Sequence, residues 1–101
     1  MNRKRTAKFY KVEKTIETTK VIEALEGANF EPVTIEGIIR RIGPIPELDR
    51  ELKPDAVKRI LFTLELLGWA QSNEKKQWLL GAKVLRFSNR YSEVLIANST
   101  R

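Results

Sequence analysis

PDAVKRILFTLELLGWAQSNEKKQWLLG, residues Pro54–Gly81, is the stretch on which the fold turns. Its first half reads as a helix running to about Leu67. Pro54 suits the opening position, where a missing N–H costs nothing. Val57, Ile60, Leu61 and Leu64 then fall on one face at three- and four-residue spacing. Gly68 closes the helix. The second half changes period. Trp69–Gln71 and Gln77–Leu80 read as two short strands, and the polar run from Ser72 to Lys76 reads as the hairpin connection between them.

Working outward, the segment from Val12 to about Glu26 has helical spacing, with Val12, Ile16, Thr19, Ile22 and Leu25 as its apolar stripe. Gly27 is its stop. A second helix begins after Thr34, whose hydroxyl is placed to accept an orphan N–H of the first turn. Glu36 there suits the helix dipole. Ile35, Ile38, Ile39 and Ile42 form its buried side, and Gly43-Pro44 ends it. Residues 44–53 read as an irregular acidic loop, because Pro44 and Pro46 block regular pairing. Beyond the hairpin, Ala82 to about Ala97 reads as a last helix with Val84, Phe87, Tyr91, Val94 and Leu95 on one side. The order is helix, helix, helix, hairpin, helix. This predicts a mainly α fold with a small β-hairpin: a winged helix-turn-helix, a three-helix core plus wing followed by a C-terminal helix. The expected division is a basic N-terminal arm over 1–11, the winged domain over 12–97 and a tail over 98–101.

Composition narrows the function. The chain has 101 residues, one domain's worth, and a net charge of +6. Seven of the basic residues lie in positions 1–20 against two Glu, a local +5. This points to a polyanionic partner. There is no Cys and no His. Thiolate metal sites and Ser–His or Cys–His nucleophiles are therefore excluded, and the usual general base is missing. No carboxylate pair in apolar surroundings and no Gly-rich phosphate loop stand out. The expectation is a non-enzyme with no metal and no cofactor. No apolar run reaches the roughly 20 residues of a membrane span, and no signal peptide is evident. The expected location is cytoplasmic.

Three segments carry a resemblance. Val33–Gly43 (VTIEGIIRRIG) resembles the second helix of IclR-family bacterial transcription regulators, and Val57–Trp69 (VKRILFTLELLGW) their third helix and its exit. Gln77–Phe87 (QWLLGAKVLRF) is similar to the second wing strand and the linker helix, with Trp78, Leu80, Gly81, Val84 and Leu85 matching an aromatic, a variable residue, Leu-Gly and a Leu-rich helix. The likeness spans roughly Val12 to Phe87 without the loop. It implies dimeric binding to partly palindromic DNA. It also implies an effector-sensing domain after the linker helix. The sequence stops where that domain would begin, so the expectation is the DNA-binding half without a small-molecule effector domain. Two departures stand out. The turn between helices two and three is lengthened by Ile45–Leu52, which would set acidic groups beside the reading helix. Phe62 and Leu66 lie one turn apart and point away from the core, where the family tends to have small or charged residues.

The partner expected is double-stranded DNA. If the third helix enters the major groove, Lys53, Asp55, Ala56, Lys58 and Arg59 face base edges. Arg pairs with guanine through two hydrogen bonds, and Asp accepts from cytosine. Lys75 and Lys76 on the wing would hold backbone. Arg3, Lys4 and Arg5 form a basic arm suited to the minor groove. Thr34, Arg40 and Arg41 are further backbone contacts. Each of these groups also has an ordinary reading as solvated polar surface, and Arg at a helix end is favoured by the dipole anyway. Trp69 and Trp78 read as buried, not as base-stacking platforms. Phe62 and Leu66 read either as covered by Ile45, Leu48 or Leu52 of the long loop, the favoured reading, or as an exposed partner patch. Phe87, Tyr91, Val94 and Leu95 read either as closing the core against the first helix or as zipping two copies together, and a homodimer through the first and C-terminal helices is expected. The alternative function is a winged-helix protein–protein module without sequence-specific DNA binding.

Overall fold

The computed structural model describes residues 11–27 and 29–99. The elements run α1 (Glu13–Glu26), α2 (Ile35–Ile42), α3 (Pro54–Leu66), β1 (Ala70–Ser72), β2 (Trp78–Leu80) and α4 (Ala82–Ser99). The winged helix-turn-helix order expected from the sequence is present.

The three-helix core is built from the apolar spacings. Helix α2 starts at Thr34, whose Oγ1 accepts the Gly37 N–H at 3.1 Å. It buries Ile38 completely, with Ile35, Ile39 and Ile42 packed around it. Helix α3 contributes Val57, Leu61 and Leu64. The hairpin pairs Ala70 with Leu80, Gln71 with Leu79 and Ser72 with Trp78, antiparallel. Its strands sit one residue later than expected on the β1 side. A third backbone segment joins the sheet. Val33 exchanges both hydrogen bonds with Trp78, at 3.0 and 2.7 Å, which ties the chain entering α2 to the wing. Trp78 is buried and Trp69 half-buried, as structural tryptophans. Gly81 marks the exit from the wing. A Cβ there would collide with the Gly68 carbonyl and the Ala70 nitrogen, so only glycine fits.

The buried face of α1 keeps part of the expected stripe, with Leu25 buried and Ile16 and Ile22 packed against the core, and corrects the rest. Glu17, Val21, Ala24 and Leu25 face the core. Val12 is exposed and Thr19 turns its hydroxyl back to the Thr15 carbonyl at 2.8 Å. The stripe is rotated because position 17 is occupied by a carboxylate that finds cationic partners elsewhere in the chain.

The loop between α2 and α3 also differs from expectation. Ile45 and Arg50 form an antiparallel bridge, with the Ile45 N–H donating to the Arg50 carbonyl at 2.9 Å. Inside it, the N–H groups of Leu48 and Asp49 donate to the Ile45 carbonyl. Pro44 and Pro46 flank the bridging residue and leave its N–H free to pair. Ile45 and Leu52 point into the core. They therefore do not cover Phe62 and Leu66, which are 50% and 84% exposed.

Helix α4 does not close the core against α1. It contributes no residue to the buried cluster. Leu85, Phe87, Tyr91, Val94, Leu95 and Ile96 are all exposed, and the Phe87 ring meets only the rim of the body, 6.0 Å from Trp69. Among the described residues no helix is long and apolar enough to cross a membrane.

Candidate nucleic-acid interface

Helix α3 presents its polar face because its apolar face is consumed by the core. At about 100° per residue, the burial of Val57, Leu61 and Leu64 puts Asp55, Arg59, Phe62 and Leu66 along the line farthest from the core. Lys58 and Glu65 lie on the wing side of that line, Ala56 and Thr63 on the other. Lys53 is the N-cap residue but supplies no capping side chain, and Pro54 opens the helix. Lys53, Asp55, Lys58 and Arg59 are exposed, and Ala56 is half-buried. No ion pair among the described residues involves any of these four charged groups. The Lys58 ammonium stands 5.9 Å above the Phe62 ring, and the edge of that ring meets Trp78 at 5.6 Å and 83°. The Ser72 hydroxyl donates to Glu65 at 2.9 Å, so the wing is fastened beside the C-terminal half of α3.

The wing tip is organised by Asn73. Its Oδ1 accepts the N–H groups of Lys75 and Gln77, each at 3.0 Å, and its own N–H donates to the Gln77 carbonyl. The three-residue tip requires a left-handed third position, and Lys76 occupies it with φ 60°. Glycine would take that conformation without penalty. Lys75 and Lys76 are both exposed there without an ion pair among the described residues. The strained position of Lys76 was not legible in the sequence, where a glycine is the usual signal.

The remaining residues named from the sequence divide. Thr34 is exposed and already spends one lone pair on the Gly37 N–H. Arg40 is exposed at the end of α2. Arg41 is committed to the fold: its guanidinium donates to the Ala24 carbonyl at 2.8 Å and to Glu31 at 2.7 Å, pinning the ends of α1 and α2 together. Gly27 leaves room for it, since a Cβ there would lie 2.7 Å from the Arg41 guanidinium. Arg3, Lys4 and Arg5 lie outside the described residues.

Charges on the α1 side are arranged differently. Glu17 is 1% exposed. It accepts from Arg50 at 2.9 Å and pairs with Lys14 at 3.2 Å, and Arg50 reaches Glu13 at 3.4 Å. Lys11 donates to the Glu47 carbonyl at 2.6 Å. Burial pushes the Glu17 carboxyl up, but the hydrogen bond from Arg50 and the charges of Arg50 and Lys14 outweigh it and hold its pKa below the usual value. Arg50 thus straps the loop to α1, while Glu51 still borders Lys53, Pro54 and Ala56 at the start of α3.

Against known proteins, no family model matches the sequence, and no curated protein does. Solved structures do match. An IclR transcriptional regulator from Alicyclobacillus acidocaldarius superposes with a TM-score of 0.68 at 19% identity over 84% of this chain. The fold shared with it is a winged helix-turn-helix. Pseudomonas aeruginosa HmgR matches it as well, with a TM-score of 0.64 at 19% identity over 78% of the chain. This chain spans 31% and 29% of the lengths of those two proteins.

Proposed function

We propose that this chain binds double-stranded DNA in a sequence-dependent way, as a transcriptional regulator or accessory DNA factor without catalysis or cofactor, in the cytoplasm. The observation that carries the reading is the outer face of α3. Asp55, Lys58 and Arg59 stand there exposed, with Lys53 at the N-cap just before them, all without ion-pair partners among the described residues, beside a wing tipped by two lysines. Helix α3 enters the major groove, where Arg59 reads guanine and Asp55 and Lys58 contact adjacent edges. Lys75 and Lys76, with Thr34, Arg40 and the arm residues Arg3, Lys4 and Arg5, hold phosphates and set the register. The two transcriptional regulators that share the fold support the same reading by analogy.

The working unit in this proposal is a dimer of domains spanning 12–97. Val84, Phe87, Tyr91 and Val94 recur at three- and four-residue spacing along α4, and from Phe87 onward they are exposed. Pairing α4, with help from α1, removes that stripe from water and sets two reading helices on half-sites about 34 Å apart. A second reading, a protein–protein module, is favoured only by the exposed Phe62 and Leu66.

The test is Arg59→Ala measured on the preferred duplex and on random duplex. The expected result is a loss of about tenfold to a hundredfold on the preferred site, with little change on random DNA. An equal loss on both, or none, overturns the assignment of α3 as the reader.

A further inference from the structure

Phe62 is an exposed aromatic on the most outward line of α3, one turn beyond Arg59. The loop that was expected to cover it turns inward instead. Its ring is not loose: Trp78 supports one edge and the Lys58 ammonium stands over the face. A phenyl group held by Trp78 and Lys58 on a DNA-facing helix is placed for one apolar feature of the major groove, the C5-methyl of thymine. On this basis we infer that Phe62 is a specificity-determining residue that reads a thymine methyl beside the base pair read by Arg59. The inference rests on the proposed DNA reading of α3.

Two observations favour DNA over a protein as the occupant. The surroundings carry an excess of positive charge: Lys58 stands over the ring, Arg59 is one turn before it, and Lys75 and Lys76 tip the adjoining hairpin, against Glu65 and Glu74. The apolar patch is also small. Phe62 with Leu66 and Leu67 offers a few hundred Å² at most, well short of the roughly 800 Å² per partner of a stable protein interface. A single methyl group needs far less.

The experiment replaces each thymine of the preferred duplex by deoxyuridine, which deletes the C5-methyl and nothing else. Affinity is compared for the wild type, Phe62→Ala and Phe62→Leu, each first shown to be folded by thermal melting. The wild type is expected to lose about fourfold at one thymine, the equivalent of one buried methyl. Phe62→Ala should bind the parent duplex more weakly and be indifferent to uracil at that position, and Phe62→Leu should keep part of the sensitivity. If a preferred duplex exists but no thymine is sensitive, or Phe62→Ala is as sensitive as the wild type, the inference is overturned while the DNA reading stands. If Phe62→Ala leaves affinity and the uracil profile untouched, the inference is likewise overturned and the patch belongs to a protein partner. If no duplex is preferred, both fail together.

Discussion

The two sides of this domain use charge in opposite ways. On the α1 side, Lys11, Glu13, Lys14, Glu17 and Arg50 are spent on one another and on backbone, and they strap the long loop to the first helix. On the α3 side, Lys53, Asp55, Lys58, Arg59, Lys75 and Lys76 are held in position by helix and hairpin but satisfied by no internal ion pair among the described residues. Charges of the first kind make the fold. Those of the second kind are left open to solvent, and in the proposed function they meet a polyanion. Counting Lys and Arg cannot separate the two, since Arg41 and Arg50 add to the same net charge as Arg59.

The comparison breaks most visibly at Arg50. Arg50→Met strands the buried Glu17 with one exposed partner, and the melting temperature should fall on the order of 10 °C. Adding Glu17→Leu should restore much of the loss, because two apolar groups need no partner. The fold holds Glu17 below its free pKa, so the native state gives up that proton more readily than the unfolded chain. The contribution of the pair is intact above about pH 4.3 and is lost as pH falls through the lower folded value. Acid melts should show this step in the wild type and lack it in the double variant.

The open side should respond in binding instead of stability. Lys75→Gln with Lys76→Gln should weaken all duplexes alike and flatten the slope of log K against log salt by about 1.8. The unfolding free energy should move by no more than about 0.5 kcal/mol from loss of charge. The finest separation comes from Lys76→Gly. It relieves the left-handed strain, a gain of about 1 kcal/mol in urea unfolding, and flattens the salt slope by about 0.9. A residue that lowers stability while strengthening binding marks the boundary between the two uses of charge.

Much of the fold was legible because its decisive signals are local. Pro54 and Gly68 bracket α3, and the loss of helical spacing around the polar run Ser72–Lys76 exposes the wing. Thr34 caps α2 by the geometry its position suggests. The misreadings of α1 and Arg41 involve long-range partners, and that of the loop a pair five residues apart. The face of α1 was misplaced because the partner of Glu17 sits 33 residues away, and hydrophobic spacing has no symbol for a neutralised carboxylate. The loop was misread because Ile45 pairs with Arg50 between two prolines that suggested disorder. Helix α4 was expected either to close the core or to pair with a copy, and its own spacing is the same in both cases. For the candidate interface, α3 and the wing could be named residue by residue. That Arg41 belongs to the fold, and that Phe62 stays uncovered, depended on contacts with Ala24, Glu31 and Trp78 that no local pattern encodes.

The most direct test is selection from a pool of random duplex DNA at near-physiological salt, using the full chain, with sequencing of what is retained. The account predicts an enriched motif, arranged as an inverted repeat with half-sites about one helical turn apart. Retention without enrichment, or no retention, would contradict it.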